Sequence, residues 1–376
     1  MDSGDAVLVI VVAVALAFDF TNGFHDTANV VATSISTRAV PPRTAVAFAA
    51  VLNFVGAFVS LEVAATVAKD VVRADAVTPT IIFAGLIGAI AWNLVTWYYG
   101  LPSSSSHALI GGVVGAVFAA AGAGAVLGDG LLGKVIVPAI VAPILAFVVA
   151  GTAITGAYNI VGRLRPGPTA SGFRLGQLAS GGVLALAHGT NDAQKTMGVI
   201  LLALIAHGSI PDAAEPQVPF WVVVSAATAI ALGTYSGGWR IIKTMGSRIH
   251  KMDSAQGFAA QGAGAVVILA ASHSGYPLST THVISGGVMG AGAAKRLSAV
   301  RWGVAGNIVV AWILTLPAAA LIGAATFGLT YLFGAGAAGP LVVTILIAVL
   351  TAGALVHRSR QLSLAGEAET AAEASS

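Results

Sequence analysis

The sequence contains no cysteine and very little charge. Charged residues make up 9% of its 376 positions, against roughly 25% in ordinary soluble domains, which excludes that class of protein. The absence of cysteine excludes structural disulfides and thiolate metal sites. What the chain has instead is apolar sequence, with 57% hydrophobic residues and a mean hydropathy of +0.89. Because one bilayer crossing takes about 20 apolar residues, the sequence predicts an all-α polytopic membrane protein.

The basic residues are poor candidates for a nucleic-acid surface. The formal net charge is only +3, and most Lys and Arg fall in short loops between apolar segments, where they set membrane orientation. We therefore expect no nucleic-acid partner. The acidic N-terminus runs directly into the apolar stretch Ala6 to Phe18. It lacks the basic region of a cleaved signal peptide, so we expect it to remain as the first membrane helix.

Apolar segments follow one another along the whole chain. They cover residues 5–35, 45–66, 79–99, 103–126, 135–158, 176–206, 219–239, 257–276, 278–294, 302–332 and 340–356. We expect each segment to cross the membrane once, except for the stretches 79–126 and 257–294. Each of these two stretches either makes an even number of crossings or re-enters on the same side. Then 14 of the Lys and Arg residues lie on one face and 3 on the other. The positive-inside rule makes the rich face cytoplasmic, which predicts an outside N-terminus in the plasma membrane.

Two pairs of motifs indicate an internal duplication. The segment Asn22 to Asn29 aligns with His188 to Lys195 at an offset of 166, and the hydroxyl-rich segments beginning at Pro102 and Pro277 align at an offset of 175. Two motif pairs in one order, at nearly one spacing, favour duplication. The charge count places the copies in opposite orientations. Inverted repeats with broken helices are typical of secondary transporters, whose site lies near the bilayer midplane.

The duplication predicts the organisation of the chain. We expect a first transmembrane repeat over 1–158, a short cytoplasmic loop over 159–175, a second, inverted repeat over 176–332, a final membrane helix over 340–357 and a tail over 358–376. The tail is rich in Ala, Glu and Ser, a composition typical of disordered, solvated sequence.

Charged side chains inside the apolar segments are few. They are Asp19, Asp26, Glu62, Asp192 and Lys195. Such charges are costly in a bilayer and are usually functional. Asp26 and Asp192 are related by the repeat, and each follows a glycine, Gly23 or Gly189, that we expect to let its helix unwind and free backbone carbonyls. Asp19 and Glu62 have no repeat partner and are expected to pair with a neighbouring helix.

A carboxylate beside free carbonyls is an oxygen-rich site for a sodium ion or a proton. We therefore assign cation binding to Asp26 with Asn22 and to Asp192 with Asn191, and sodium, if it is the coupling ion, to the two carboxylates. Sodium and proton both remain open.

The hydroxyl-rich segments resemble helix starts, since Ser and Thr cap helices and Pro suits a first turn. A helix N-terminus in low dielectric offers unpaired N–H groups and a positive dipole end, so it binds anions. The residues assigned to a tetrahedral oxyanion are Ser104, Ser105, Ser106, Ser279, Thr280, Thr281, Asn29 and Lys195. The neighbouring histidines are expected to pack as hydrogen-bonded residues; they are His25, His107, His188 and His282. The following glycines predict close helix packing: Gly111, Gly112, Gly115, Gly286, Gly287 and Gly290.

These motifs resemble those of the inorganic phosphate transporter (PiT) family. Its Gly-x-Asn-Asp-x-x-Asn-type signature is similar to Gly23-Phe-His-Asp-Thr-Ala-Asn29 and Gly189-Thr-Asn-Asp-Ala-Gln-Lys195, and the hydroxyl-rich segments are also similar. The resemblance covers nearly the whole chain except the tail. It implies inverted repeats with re-entrant helical hairpins, cation-driven phosphate uptake and a homodimer. His25 and Lys195 depart from the signature, which leaves the number and identity of the coupling cations open.

Other functions fit the residues less well. Sulfate is the alternative anion, but phosphate carries a P–OH donor that needs an acceptor such as Asp26 or Asp192. A passive anion channel would not concentrate its solute. An intramembrane hydrolase would need Ser106 to face His107, and adjacent helical residues point about 100° apart. The sequence therefore predicts a transporter with no catalytic residues and no cofactor other than a coupling cation.

Overall fold

A computed structural model of the chain describes residues 3–161, 166–213, 217–334 and 336–347. These residues form helices and no β-strand. The helices are α1 (Ser3–Ser36), α2 (Pro42–Gly56), α3 (Glu62–Lys69), α4 (Pro79–Tyr99), α5 (Ser105–Ala121), α6 (Gly128–Val161), α7 (Pro166–His207), α8 (Phe220–Ser236), α9 (Trp239–Arg248), α10 (Ser254–His273), α11 (Thr280–Lys295), α12 (Trp302–Leu332) and α13 (Ala338–Ile347). The all-α prediction is confirmed.

Local sequence signals set several helix ends. Thr78 caps α4 by accepting a hydrogen bond from the amide of Ile81, just before a proline in the first turn. Gly100 ends the same helix with a left-handed φ of 66°, a conformation that glycine adopts without strain. Asp253 and Gln256 form a reciprocal capping box at the start of α10.

Helices α1–α6 and α7–α12 follow the same order. Each set opens with a long helix and closes with another that contains an internal proline, Pro143 in α6 and Pro317 in α12. The sets exchange packing partners: α12 lies against α4 and α5, and α6 lies against α10 and α11. Likewise, α1 packs against α8, and α7 packs against α2 and α3. The two halves therefore share one interior.

Glycine allows the closest of these contacts. A Cβ added at Gly115 of α5 would lie 2.0 Å from the carbonyl oxygen of Ala320 on α12, and one at Gly290 of α11 would lie 2.1 Å from that of Phe147 on α6. Any larger residue would force the helices apart. The predicted packing role of these glycines is confirmed.

The expected unwinding at Gly23 and Gly189 is wrong. Helices α1 and α7 run through both positions without a break. A Cβ at Gly23 would lie 2.4 Å from the carbonyl oxygen of Ile230, and one at Gly189 would lie 2.2 Å from that of Asn53. Both glycines are needed for helix contact, and the backbone stays hydrogen-bonded. The break falls instead between α8 and α9, which meet at a bend of 60°.

Helix α7 begins at Pro166, inside the stretch 159–175 for which the sequence predicts a loop. Tertiary contacts hold this first part of the helix: the Phe173 ring packs against Phe258 of α10, and Gln177 accepts a hydrogen bond of 2.8 Å from Thr37. Partners distant in sequence therefore extend the helix beyond its apolar segment.

The outer surface suits a bilayer. Five of the described helices (α1, α4, α6, α10 and α12) are long and apolar enough to cross a membrane, and the bent pair α8 and α9 adds a sixth if it is one span. Ile140 and Ile144 on α6 and Ile313 on α12 point outward and are exposed. Helix α13 covers the start of the predicted last span over 340–357, whose remainder lies outside the described residues, as does the tail over 358–376.

Candidate functional site

The interior of the helix bundle holds a polar centre where α1 and α7 meet the N-terminal ends of α5 and α11. Every residue that the sequence assigned to anion or cation binding is at most 3% exposed. They are Ser104, Ser105, Ser106, Ser279, Thr280, Thr281, Asn29, Lys195, Asp26, Asn22, Asp192 and Asn191. Polar side chains buried among apolar helices need partners, and most of these residues find them in one another.

Two helical hairpins present the hydroxyl groups. In the first, α4 turns into α5, and the Ser104 side chain accepts a hydrogen bond of 3.1 Å from the amide of His107. In the second, α10 turns into α11, and Ser279 accepts one of 3.3 Å from the amide of His282. The sequence prediction that helices start in these segments is confirmed. Because the two serines cap their helices, the residues that follow them are the ones that project into the centre.

Contacts between the halves assemble the centre. Asn29 of α1 donates to Thr281 at 2.8 Å and to Thr280 at 3.2 Å, both on the second hairpin. Lys195 of α7 donates to Ser106 of the first hairpin at 2.6 Å. Each long helix thus holds the hairpin of the other half, at matching positions of the two aligned motifs.

The two hairpin tips also touch directly, since Ser106 donates to the carbonyl oxygen of Leu278 at 3.1 Å. Lys195 reaches the same carbonyl oxygen at 2.6 Å. Behind the tips, the His107 ring lies edge-on to that of His282, which stacks on Trp312. Both rings pack as expected, and His282 Nδ1 also lies 3.2 Å from the carbonyl oxygen of Ala139.

The two motif carboxylates, Asp26 and Asp192, lie at the middle of this network. Asp192 accepts a hydrogen bond from Lys195 and one of 3.1 Å from Thr280, and His188 Nε2 lies 2.9 Å from it. One carboxylate oxygen of Asp26, one of Asp192 and one ring nitrogen of His188 lie within 4.8 Å of one another. Two carboxylates from different halves at this spacing can hold a cation between them.

Asp26 has partners of its own. His25 Nδ1 lies 2.6 Å from its carboxylate, and Thr281 donates to it at 3.5 Å. The other ring nitrogen of His25 lies 3.1 Å from the hydroxyl of Thr96, which accepts a hydrogen bond from Ser103. His25 therefore links Asp26 to the first hairpin, in addition to packing.

Two of the assigned asparagines lie at the edge of the centre. The Asn191 side chain donates to Ser272 at 2.8 Å and to the carbonyl oxygen of Tyr276 at 3.2 Å, so it secures the turn between α10 and α11. Asn22 lies beside the carboxylate of Asp19.

Sequence reasoning missed several residues that support the centre. Asn53 of α2 lies 3.3 Å from the ring of His188 and donates to Thr234. Gln194 accepts hydrogen bonds from the amides of Val63 and Ala64 at the start of α3. Both Asn53 and Gln194 are polar residues inside apolar segments. That pattern predicts that a side chain is buried, but it does not predict its hydrogen-bond partner.

A helical membrane protein whose two halves enclose a buried, charged centre has the architecture of a solute transporter. The phosphate transporter family model matches residues 22–168 and 160–323, and the chain belongs to that family. Membership confirms the resemblance stated from the motifs, and a family of transporters confirms the prediction that the chain is not an enzyme.

Relatives and a solved structure agree with this assignment. A probable low-affinity inorganic phosphate transporter of Mycobacterium bovis is 53% identical over 94% of this chain and 84% of its own length. A protein of the same description from Bacillus subtilis is 45% identical over 85% of this chain and 96% of its own. A solved structure described as the sodium-dependent phosphate transporter shares the fold, with a TM-score of 0.78 and 23% identity over 87% of this chain and 99% of its own.

Proposed function

We propose that the chain takes up inorganic phosphate by symport with a cation, through alternating access. The observation that carries the proposal is the meeting of two hydroxyl-bearing hairpin tips with Asp26, Asp192 and Lys195 in one buried centre. The printed names of the relatives support phosphate as the substrate. The description of the solved structure supports sodium as the coupling ion, with a proton as the alternative.

The anion is proposed to bind between the hairpin tips. The Ser105 hydroxyl is buried and has no hydrogen-bond partner, so it is free to donate to an oxyanion. The N-terminal ends of α5 and α11 add partial positive charge, and Lys195 and Asn29 supply donors. Asp26 or Asp192 accepts the proton of a P–OH group, which sulfate at neutral pH lacks. This chemistry supports phosphate over the alternative of a sulfate symporter.

The hydrogen bonds also give a reason for coupling. Thr280 donates to Asp192 and Thr281 to Asp26, so these hydroxyls are engaged by the carboxylates. A cation bound at the carboxylates partly neutralises their negative charge and so weakens these hydrogen bonds. The hydroxyls of Thr280 and Thr281 are then free to donate to phosphate. It also lowers the repulsion between the carboxylates and the anion. Cation binding thus promotes phosphate binding.

Transport is proposed to rest on the two halves acting as inverted repeats, with residues 1–158 and 176–332 as the units. The shared helix order and the exchange of partners between the halves support this arrangement. Rocking of one set of packed helices against the other would open the centre to either side. We further propose a homodimer in the plasma membrane with the N-terminus outside.

The test is uptake of labelled phosphate by liposomes containing the purified protein. Uptake is measured under a sodium gradient, a proton gradient or neither, with unlabelled sulfate as competitor. Accumulation driven by one gradient and insensitive to sulfate is the expected result. Strong competition by sulfate would indicate that sulfate is the substrate. Equilibration of phosphate that is independent of both gradients would indicate a passive channel.

Two substitutions test the centre itself. Asp26→Asn and Asp192→Asn should lower uptake and its dependence on the cation together, because each removes a charge that the cation would bind. Asp129→Asn, at an exposed position, is the matched control and should leave both unchanged. If both variants in the centre kept wild-type uptake and cation response, the site would be wrong.

A further inference from the structure

The ammonium of Lys195 lies in a cage of oxygen atoms between the two hairpin tips. It donates to the carboxylate of Asp192, to the hydroxyl of Ser106 at 2.6 Å and to the carbonyl oxygen of Leu278 at 2.6 Å. These three oxygens come from α7, from the first hairpin and from the second. All four residues are at most 4% exposed, so the positive charge lies out of contact with bulk solvent.

The three contacts engage the whole ammonium. A lysine ammonium has three N–H donors and no acceptor, and three oxygens lie within hydrogen-bond distance of it. The hydrogen bond to phosphate proposed above therefore replaces one of the three, while the charge stays in place. An ammonium whose donors all end on protein oxygens acts on its surroundings through its charge and by holding those oxygens together.

The same three oxygens form a ligand set for a metal cation. A carboxylate, a hydroxyl and a backbone carbonyl are oxygen ligands of the kind that hard cations prefer. Such oxygens lie about 2.3–2.6 Å from a Ca²⁺ ion, and Ser106 and Leu278 place theirs 2.6 Å from Lys195 Nζ. With one carboxylate in the cage, a monovalent ion balances the charge, as the ammonium does. The ammonium therefore stands where a monovalent metal ion would fit.

The aligned motif in the first half has no such charge. Asn29 occupies the position that matches Lys195, and it donates to Thr281, the residue that matches Ser106. Both long helices therefore hold the hairpin of the other half at the same place, one through a neutral amide and one through an ammonium. Holding a hairpin does not require a positive charge, so the charge of Lys195 has a further role.

We propose that Lys195 is a tethered cation, whose ammonium fills a cation site made by Asp192, Ser106 and Leu278. It supplies the positive charge that a dissolved Na⁺ would otherwise bring to this cage. The inference rests on the proposed function for its consequence, because the fixed charge lowers the repulsion between Asp192 and an arriving phosphate. The cage is separate from the cation proposed between Asp26 and Asp192. Removing the ammonium should therefore create a requirement for one further Na⁺.

The test removes the ammonium and measures whether Na⁺ replaces it. Lys195→Ala leaves the space of the ammonium open, whereas Lys195→Met fills that space with an apolar chain of similar length. Phosphate binding is measured calorimetrically while Na⁺ is varied against choline at constant ionic strength and pH. The slope of log affinity against log [Na⁺] should be about one greater in Lys195→Ala than in wild type, since one further ion is linked. Lys195→Met should keep the wild-type slope.

Two more variants complete the comparison. Lys251→Ala, at an exposed position, should match wild type. Lys195→Asn, which carries the residue of the first motif, should show the same gain as Lys195→Ala and takes its place if that variant does not fold. Equal slopes in wild type and the variants with an open cage would overturn the proposal. So would an equal gain in Lys195→Met, because Na⁺ would then respond to the lost charge and not to the emptied cage.

Thermal unfolding without phosphate separates this inference from the proposed function. Na⁺ should raise the Tm of Lys195→Ala by more than it raises that of wild type or Lys195→Met. If this difference held while wild type failed to bind phosphate, the tethered cation would stand and the phosphate proposal would fail. If wild type bound phosphate but the slopes and the Tm shifts were equal, the phosphate proposal would stand and the tethered cation would fail.

Discussion

Replacing Lys195 by Met removes the one buried ammonium of the centre while keeping a side chain of similar length. Lys195 is 1% exposed. Its ammonium donates to Asp192, to Ser106 at 2.6 Å and to the carbonyl oxygen of Leu278 at 2.6 Å. The substitution therefore deletes a positive charge at the place where the two hairpin tips meet.

The expected loss follows from the proposed hydrogen bond between the Lys195 ammonium and phosphate. A hydrogen bond to a charged group contributes about 1.5–3 kcal/mol, and a factor of ten in affinity corresponds to about 1.4 kcal/mol. The dissociation constant for phosphate should therefore rise by about 10- to 150-fold. Part of the effect comes from Asp192, which loses its counter-charge and repels the anion. The double variant Lys195→Met with Asp192→Asn should accordingly bind phosphate more tightly than Lys195→Met alone.

The assay is calorimetric phosphate binding at fixed Na⁺ concentration and ionic strength, with folding checked by size-exclusion chromatography. Lys251→Met removes a lysine at an exposed position and serves as the control for net charge. A dissociation constant for folded Lys195→Met within about threefold of wild type would refute the reasoning, since a hydrogen bond of this kind is expected to contribute at least about 1.5 kcal/mol.

Two further predictions concern binding and packing. Asn29→Ala removes both hydrogen bonds to the second hairpin and should weaken phosphate binding by about 3- to 10-fold per bond; unchanged calorimetric affinity would contradict its assigned role. Gly115→Val places side-chain atoms where a Cβ alone lies 2.0 Å from a backbone oxygen, so little folded protein should elute on size-exclusion chromatography. Gly124→Val, at a position with open space, should behave as wild type, and equal yields of the two would contradict the packing argument.

The sequence by itself determined the class of protein and its all-α fold, and it singled out most of the polar residues that meet in the buried centre. Apolar composition decides membrane insertion because each residue is transferred between water and lipid largely independently of its neighbours. Helix capping by Ser104 and Ser279 was equally predictable, since a cap bonds to an amide three residues away. Duplication then singled out Asp26 and Asp192, because the same carboxylate appears at matching positions of two motifs.

Only the tertiary structure decided what the glycines do. A glycine inside an apolar helix, such as Gly23 or Gly189, can allow the helix to unwind or can allow another helix to pack closely against it. The local sequence is the same in both cases. The choice depends on Ile230 and Asn53, which belong to other helices. Local propensity cannot distinguish an unwound helix from a continuous one at these glycines, because the continuous helix is stabilised by close packing against other helices.

The structure likewise decided the partners within the centre. Lys195 donates a hydrogen bond to Ser106, 89 positions away in the sequence. Asn29 donates one to Thr281, 252 positions away, and both bonds join one half of the chain to the other. Asp19 is buried on α1 with Asn22 and, from α7, Thr196 as its polar neighbours, a set that the sequence alone does not bring together. Residue type and spacing specify which groups need a partner, whereas the packing of helices distant in sequence determines which partner, if any, each group receives.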